Sequence, residues 1–189
     1  MSGKTKLGLT ALLGALLVLP AGLAACDNDN NGNGGEPAAT MLSRVDDASA
    51  PPSAMARLDD GGLVLVGDKS PEALFAEEIN RMPDRSERFG STLTSSRFER
   101  SQAGTFLVLQ GETPDGDCLT LAKSLKPVGA SGSYLQSSGC TQGCKGYKCR
   151  TCDLTIEGEC TGYCDCTRTN GIGARCDHEV AYYPVEDPA

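Results

Sequence analysis

Ten cysteines are the residues of this 189-residue chain best placed to do chemistry. Cys26 and Cys118 stand apart, and the other eight crowd between Cys140 and Cys176 with the spacing C-x3-C-x4-C-x2-C-x7-C-x3-C-x-C-x9-C. Cysteines so dense have three uses. They can join in pairs as disulfides, hold zinc or copper as thiolates, or cycle as a C-x-x-C redox pair. The compartment chooses among them, because a reducing cytosol favours metal and an oxidising exterior favours disulfides.

The amino terminus bears on that choice. Lys4 and Lys6 precede an apolar stretch from Leu7 to Leu19, interrupted only by Gly and Thr10 and ended by Pro20. This is the layout of a cleaved export signal. The stretch Leu7 to Ala25 could also just cross a bilayer as a retained anchor, but a bare anchor does not require the Leu23-Ala24-Ala25-Cys26 that follows. That tetrapeptide resembles the lipobox of the bacterial lipoprotein class, and the resemblance ends at Cys26. It implies cleavage between Ala25 and Cys26, diacylglycerol on the Cys26 sulfur, and acyl chains such as palmitate holding the mature protein to a membrane. Two or three chains anchor stably where one is marginal. The implied address is the bacterial cell envelope, outside the cytoplasm. Asp27 resembles the inner-membrane retention signal of some Gram-negative sorting systems, while other bacteria read an acidic, Asn-rich start differently, so the choice of membrane stays open.

Residues 1–25 are thus expected to be a signal peptide and 26–61 the lipidated Cys26 with a disordered linker. Asp27 to Gly35 is almost wholly Asp, Asn and Gly, and Glu36 to Gly62 adds Pro, Ala and Ser with few large apolar side chains. Such a segment buries too little surface to offset the entropy of ordering it, and its reach is roughly 30–35 Å. Asp27-Asn28-Asp29-Asn30-Asn31-Gly32 matches the opening of a calcium-binding loop, yet the position of its closing Glu is Ala38. A spacer is the preferred reading. The formal net charge is −8, and loss of Lys4 and Lys6 makes the mature chain more acidic. This argues against nucleic acid or anionic lipid as partners, which are held by Lys and Arg.

Residues 62–139 read as a small α+β segment. Leu63-Val64-Leu65-Val66 before Gly67-Asp68 is a short strand and a turn. Ser70-Pro71-Glu72 opens a helix with a capping hydroxyl, Pro at the first helical position and an acid in the first turn. Phe75, Ile79 and Met82 then share one face up to Pro83, and Glu77, Glu78 and Arg81 are expected on the solvated side. From Ser91 the pattern turns β: Phe106 to Leu109, a turn from Gly111 to Asp117, Cys118 to Leu121, then Tyr134-Leu135. Consecutive strands with turns between them predict an antiparallel meander with one helix. All four Phe lie between positions 75 and 106, where a core can form.

Residues 140–180 form a cysteine-rich loop/β module, with 181–189 as a C-terminal tail. Large aliphatics are scarce here, with Leu154, Ile156, Ile172 and Val180 the main ones, so the module needs staples. Disulfides among Cys140, Cys144, Cys149, Cys152, Cys160, Cys164, Cys166 and Cys176 are the preferred reading, each contributing about 2–4 kcal/mol. On the order of 100 pairings are open. Cys140-Thr141-Gln142-Gly143-Cys144 and Cys160-Thr161-Gly162-Tyr163-Cys164 share C-T-x-x-C, which hints at two related loops. The end of the module, Cys164-Asp165-Cys166 to Cys176, resembles the last three cysteines of an epidermal-growth-factor-like module. That resemblance implies a Cys166–Cys176 bridge, although the first half of the module departs from that family's spacing. Without Cys26 an odd thiol is left over; Cys118, buried beneath the meander, is the candidate, and a Cys118–Cys140 bridge is the alternative.

The metal alternative uses Cys149, Cys152, Cys164 and Cys166 for zinc or copper, with Cys176 and His178 as further ligands. His178 is the sole histidine, and a solvated side chain is its simpler reading. A redox role for Cys149-x-x-Cys152 would need a helix behind the first thiol, whereas Thr151 to Glu157 reads as turn and strand. No P-loop, H-E-x-x-H or G-x-S-x-G motif is present. The expectation is a non-catalytic envelope lipoprotein without a cofactor. It would touch the membrane through the Cys26 lipid and display its domain to a protein or envelope partner whose identity the sequence leaves open.

Overall fold

The strand β7, Tyr134–Tyr147, organises the computed structural model, which describes residues 41–59, 62–83, 88–129, 132–169 and 171–184. The segments read above as a signal peptide, a lipobox at Cys26 and a calcium-loop-like run lie outside the described residues. The remaining elements are β1 (Arg44–Val45), β2 (Ala56–Asp59), β3 (Gly62–Val66), α1 (Pro71–Arg81), β4 (Thr92–Ser101), β5 (Gly104–Glu112), β6 (Cys118–Val128), β8 (Cys149–Gly158), β9 (Thr161–Thr169) and β10 (Arg175–Tyr182). The molecule is mostly β, with one short helix among the described residues and a disulfide-rich C-terminal region.

Strands β4, β5, β6 and β7 pair antiparallel in chain order. The β5–β6 turn closes through Thr113, whose N–H donates to the Asp117 carbonyl at 2.9 Å and whose hydroxyl accepts from the Asp117 N–H at 3.1 Å. Gly116 takes the left-handed φ of 79° that this turn requires. On its other edge β7 is shared. Its start pairs with β2, and its second half pairs with β10 along the run Cys140 to Tyr147. The strand therefore crosses position 140 without a break, so the α+β segment and the cysteine-rich module have a strand in common.

Two expectations about the ends change. Residues 41–59, expected to be spacer, are built into the sheet: β1 pairs parallel with β3, and β2 pairs with both β3 and β7. Local composition hid this because the segment is held by long-range contacts. The Asp47 carboxylate accepts from the Ser49 hydroxyl and N–H, from Tyr134 and from Arg57. Led by the Ser49 bonds, these hold its pKa down at about 2. At the other end Ala181 and Tyr182 complete β10 instead of beginning a tail.

Alternation along β5, β6 and β7 divides the sheet into two covered faces. Leu107, Leu109, Leu119, Leu121 and Leu125 join Leu74, Phe75 and Ile79 of α1 and Met82 at its C-cap in the main core. The helix starts as its sequence predicts, with the Ser70 hydroxyl accepting from the Ala73 N–H and Pro71 in the first turn. Phe106, Val108 and Ala122 face the other way, against Leu154 and Ile156 of the β8–β9 ribbon. Lys148, at φ 54°, turns the chain between β7 and β8 so that the ribbon folds back across that second face.

Candidate functional site

Two places concentrate polar or reactive groups, one on each face. The first is the sulfur-rich contact between the ribbon and the sheet. Cys140 bonds Cys160 and Cys144 bonds Cys164, both across a separation of 20 residues. The two C-T-x-x-C runs are thus bridged to each other, first to first and second to second. Their equal spacing allows this because both lie in extended chain. Cys149 bonds Cys166 and Cys152 bonds Cys176. The Cys166–Cys176 bridge implied by the growth-factor-like resemblance is therefore absent. The reason is positional: Cys149 lies opposite β9 within the ribbon, while Cys176 sits on β10 beside Gly146 of β7, within reach of Cys152. Cys118 is buried on β6, packed with Cys144, Cys149 and Cys152 and outside the four bridges.

Glycine makes this contact possible. A β-carbon at Gly146 would lie 2.7 Å from the Cys149 β-carbon and 3.1 Å from the Cys152 sulfur. At Gly162 it would lie 2.7 Å from Gln142 Oε1 of β7 and against the Thr155 carbonyl. The sulfurs are close across bridges too, with Cys149 Sγ 3.6 Å from Cys176 Sγ and 3.9 Å from Cys152 Sγ. Cys149 and Cys152 are not joined to each other, and they lie on a strand, with no helix behind the first sulfur. Among the described residues, the sulfur groups that converge within 4.8 Å are Cys144, Cys152, Cys176 and Cys149, Cys166, Cys176. The set Cys149, Cys152, Cys164, Cys166 is not one of them. His178 is half-buried and not simply solvated. The Gln142 side-chain N–H donates to the Gly158 carbonyl at 3.0 Å, so Gln142 Oε1 accepts from His178 Nε2 at 3.2 Å. Nε2 therefore carries a proton, and burial pushes the His178 pKa down.

The second place is on the helix face. Glu78 of α1 is 1% exposed and lies among the apolar residues, contrary to the solvated position expected of it. Its Oε1 is 2.7 Å from Lys123 Nζ, and its Oε2 accepts from the Thr141 hydroxyl at 2.6 Å. Lys123 also donates to the Tyr183 hydroxyl at 2.6 Å, and that hydroxyl lies 2.9 Å from Ser137 Oγ and 3.1 Å from Thr141 Oγ1. Arg81 and Lys123 each stand 4.4 Å from the centre of the Tyr183 ring. Glu77 pairs with Lys69 and Arg81; although partial burial opposes ionisation, these bonds hold its pKa below the ordinary value. Glu78 is three residues after Phe75 and four before Met82, so the helical period alone could have placed it inward. Nothing local marked Lys123, Thr141 or Tyr183 as its partners.

This network borders a cavity of about 540 Å³ between α1, the β2–β3 region and β7. That volume is within the roughly 300–1,000 Å³ typical of small-molecule sites. Gln136 and Ser53 line it, and each has a buried side-chain oxygen without a hydrogen-bond partner. No protein-family model matches the chain, and neither a curated protein nor a solved structure matches it. Four disulfides do place this chemistry in an oxidising, non-cytoplasmic compartment.

Proposed function

We propose that the protein is a bacterial envelope lipoprotein, anchored through Cys26, that displays a disulfide-stapled β domain for a structural or binding role. The observation that carries this reading is the agreement of two distant features. Leu23-Ala24-Ala25-Cys26 ends an export-type segment, and the domain beyond it uses eight cysteines in four bridges that a reducing cytosol would not maintain. The role assigned to the domain is non-catalytic, and its partner is a protein or other envelope component. Labelled palmitate should enter the wild-type chain and not Cys26→Ser, which should leave the membrane fraction. A mature chain that keeps Met1 and carries no lipid would overturn the proposal.

A second reading, a metal-binding lipoprotein, is supported by the two sulfur groups that share Cys176. Zinc or copper binds thiolates, and all of these sulfurs are engaged in bridges, so this function belongs to a reduced chain. Zinc and Cu(I) should bind after reduction and not before it. Stoichiometric binding by the oxidised protein would require other ligands.

A further inference from the structure

The helix-face cavity has walls whose cations are already committed. Lys69 pairs with Glu77, Arg81 with Glu77 and Glu78, and Lys123 with Glu78, so each lining cation already has a carboxylate beside it. An anionic ligand would have to break pairs that include the buried Glu78 and Lys123, leaving an uncompensated charge. Apart from the exposed Asp68 carboxylate at the rim, the groups left over are neutral. Gln136 is 6% exposed, and its Oε1 is an acceptor without a donor; the Ser53 hydroxyl is likewise without a partner. Buried polar atoms in this state are destabilising and ordinarily mark a place that water or a ligand fills. Apolar atoms of Pro52, Met55, Val66 and Leu74 complete the wall.

We propose that this cavity is a binding site for an uncharged small molecule rich in hydroxyl or amide donors, about the size of one or two sugar rings. Its N–H or O–H groups meet Gln136 Oε1 and Ser53 Oγ, and its carbon skeleton lies along the apolar wall. The Glu78–Lys123–Tyr183 network fixes the back of the cavity and holds α1 against the sheet. The site is independent of the lipid anchor, so a Cys26→Ser chain keeps it and the two proposals fail separately.

The test is an NMR titration of the full, exported and oxidised chain. The neutral probes are N-acetylglucosamine, its β-1,4-linked disaccharide and sucrose; glutamate and inorganic phosphate are the ionic comparators. At least one neutral probe is expected to shift the Gln136 side-chain amide and the Tyr183 signals saturably. Gln136→Met should weaken that probe about tenfold, the equivalent of one lost hydrogen bond. Ser53→Leu, on a half-buried turn, should also weaken it and keeps the test decisive if Gln136→Met does not fold. No saturable shift from the neutral probes at about 10 mM, well above a Kd of about 1 mM, would overturn the proposal. So would a response confined to glutamate or phosphate, or an affinity unchanged in both variants.

Discussion

Strands β5, β6 and β7 present two faces, and the chain covers them by opposite means. On one, leucines of the sheet meet Leu74, Phe75 and Ile79 of a single capped helix and Met82 at its C-cap. Burial of each such side chain is favourable by about 1.5–3 kcal/mol. On the other, the β8–β9 ribbon brings few large apolar side chains and is held by covalent bonds. Cys140–Cys160 and Cys144–Cys164 tie it to β7, and Cys152–Cys176 ties it to β10. Among the described residues the leucine face encloses a buried ion pair and a cavity of about 540 Å³, and a cavity of about 70 Å³ lies between the ribbon and the sheet. Sulfur bridges and glycines let backbones approach closely, while a helix standing on side chains leaves space. The described cavity large enough for a small molecule therefore lies on the helix face.

The largest test of this contrast is reduction. Four bridges at about 2–4 kcal/mol each rival the whole net stability of about 5–15 kcal/mol expected of a domain. Reduced protein should lose its cooperative unfolding transition, and proteolysis should begin in residues 149–169. A reduced chain that melts at the same temperature would show that the ribbon packs without its staples.

On the helix face, Glu78→Leu should destabilise by about 3–5 kcal/mol because it strands the buried Lys123 ammonium. Adding Lys123→Met should recover part of that loss, as read from urea midpoints in a double-mutant cycle. Two glycines of the same strand compare the faces directly. Gly146→Ala drives a methyl to within 2.7 Å of the Cys149 β-carbon and should cost about 1–3 kcal/mol. Gly143→Ala meets the flexible Met82 thioether at 3.1 Å and should cost under about 1 kcal/mol. Equal costs would remove the distinction between a rigid and a yielding face.

The smallest expected effect is at His178. Burial lowers its folded pKa below the ordinary 6.5, so the folded state holds a neutral ring where the unfolded chain takes up a proton. Its contribution is complete above pH 6.5 and is lost as the pH falls through the lowered folded value. His178→Gln should flatten that part of the stability–pH curve, and an unchanged slope would assign it elsewhere.

The parts legible in the sequence were those with short-range causes. The capping hydroxyl of Ser70 and Pro71 mark the start of α1, and Phe75, Ile79 and Met82 mark its buried face, as the structure has them. The apolar runs at Leu63, Phe106 and Cys118 lie in β3, β5 and β6. Residues 41–59 were illegible because two short strands without an apolar pattern are ordered by neighbours far along the chain, such as Leu135 beside Ala56. The length of β7 was hidden for a similar reason. Gln142, Gly143 and Gly146 have little strand preference of their own, and they extend because β6 and β10 flank them.

By itself, then, the sequence determined the local grammar of this protein: where one helix starts, where several strands run, and that crowded cysteines must substitute for a missing apolar core. Only the tertiary structure decided which cysteine meets which, that Glu78 turns inward to Lys123, and that a polar cavity lies beside them. The physical reason is range. A cap or an apolar stripe depends on residues within a turn or two, whereas bridges spanning 17 to 24 residues and an ion pair spanning 45 depend on how whole strands are laid side by side.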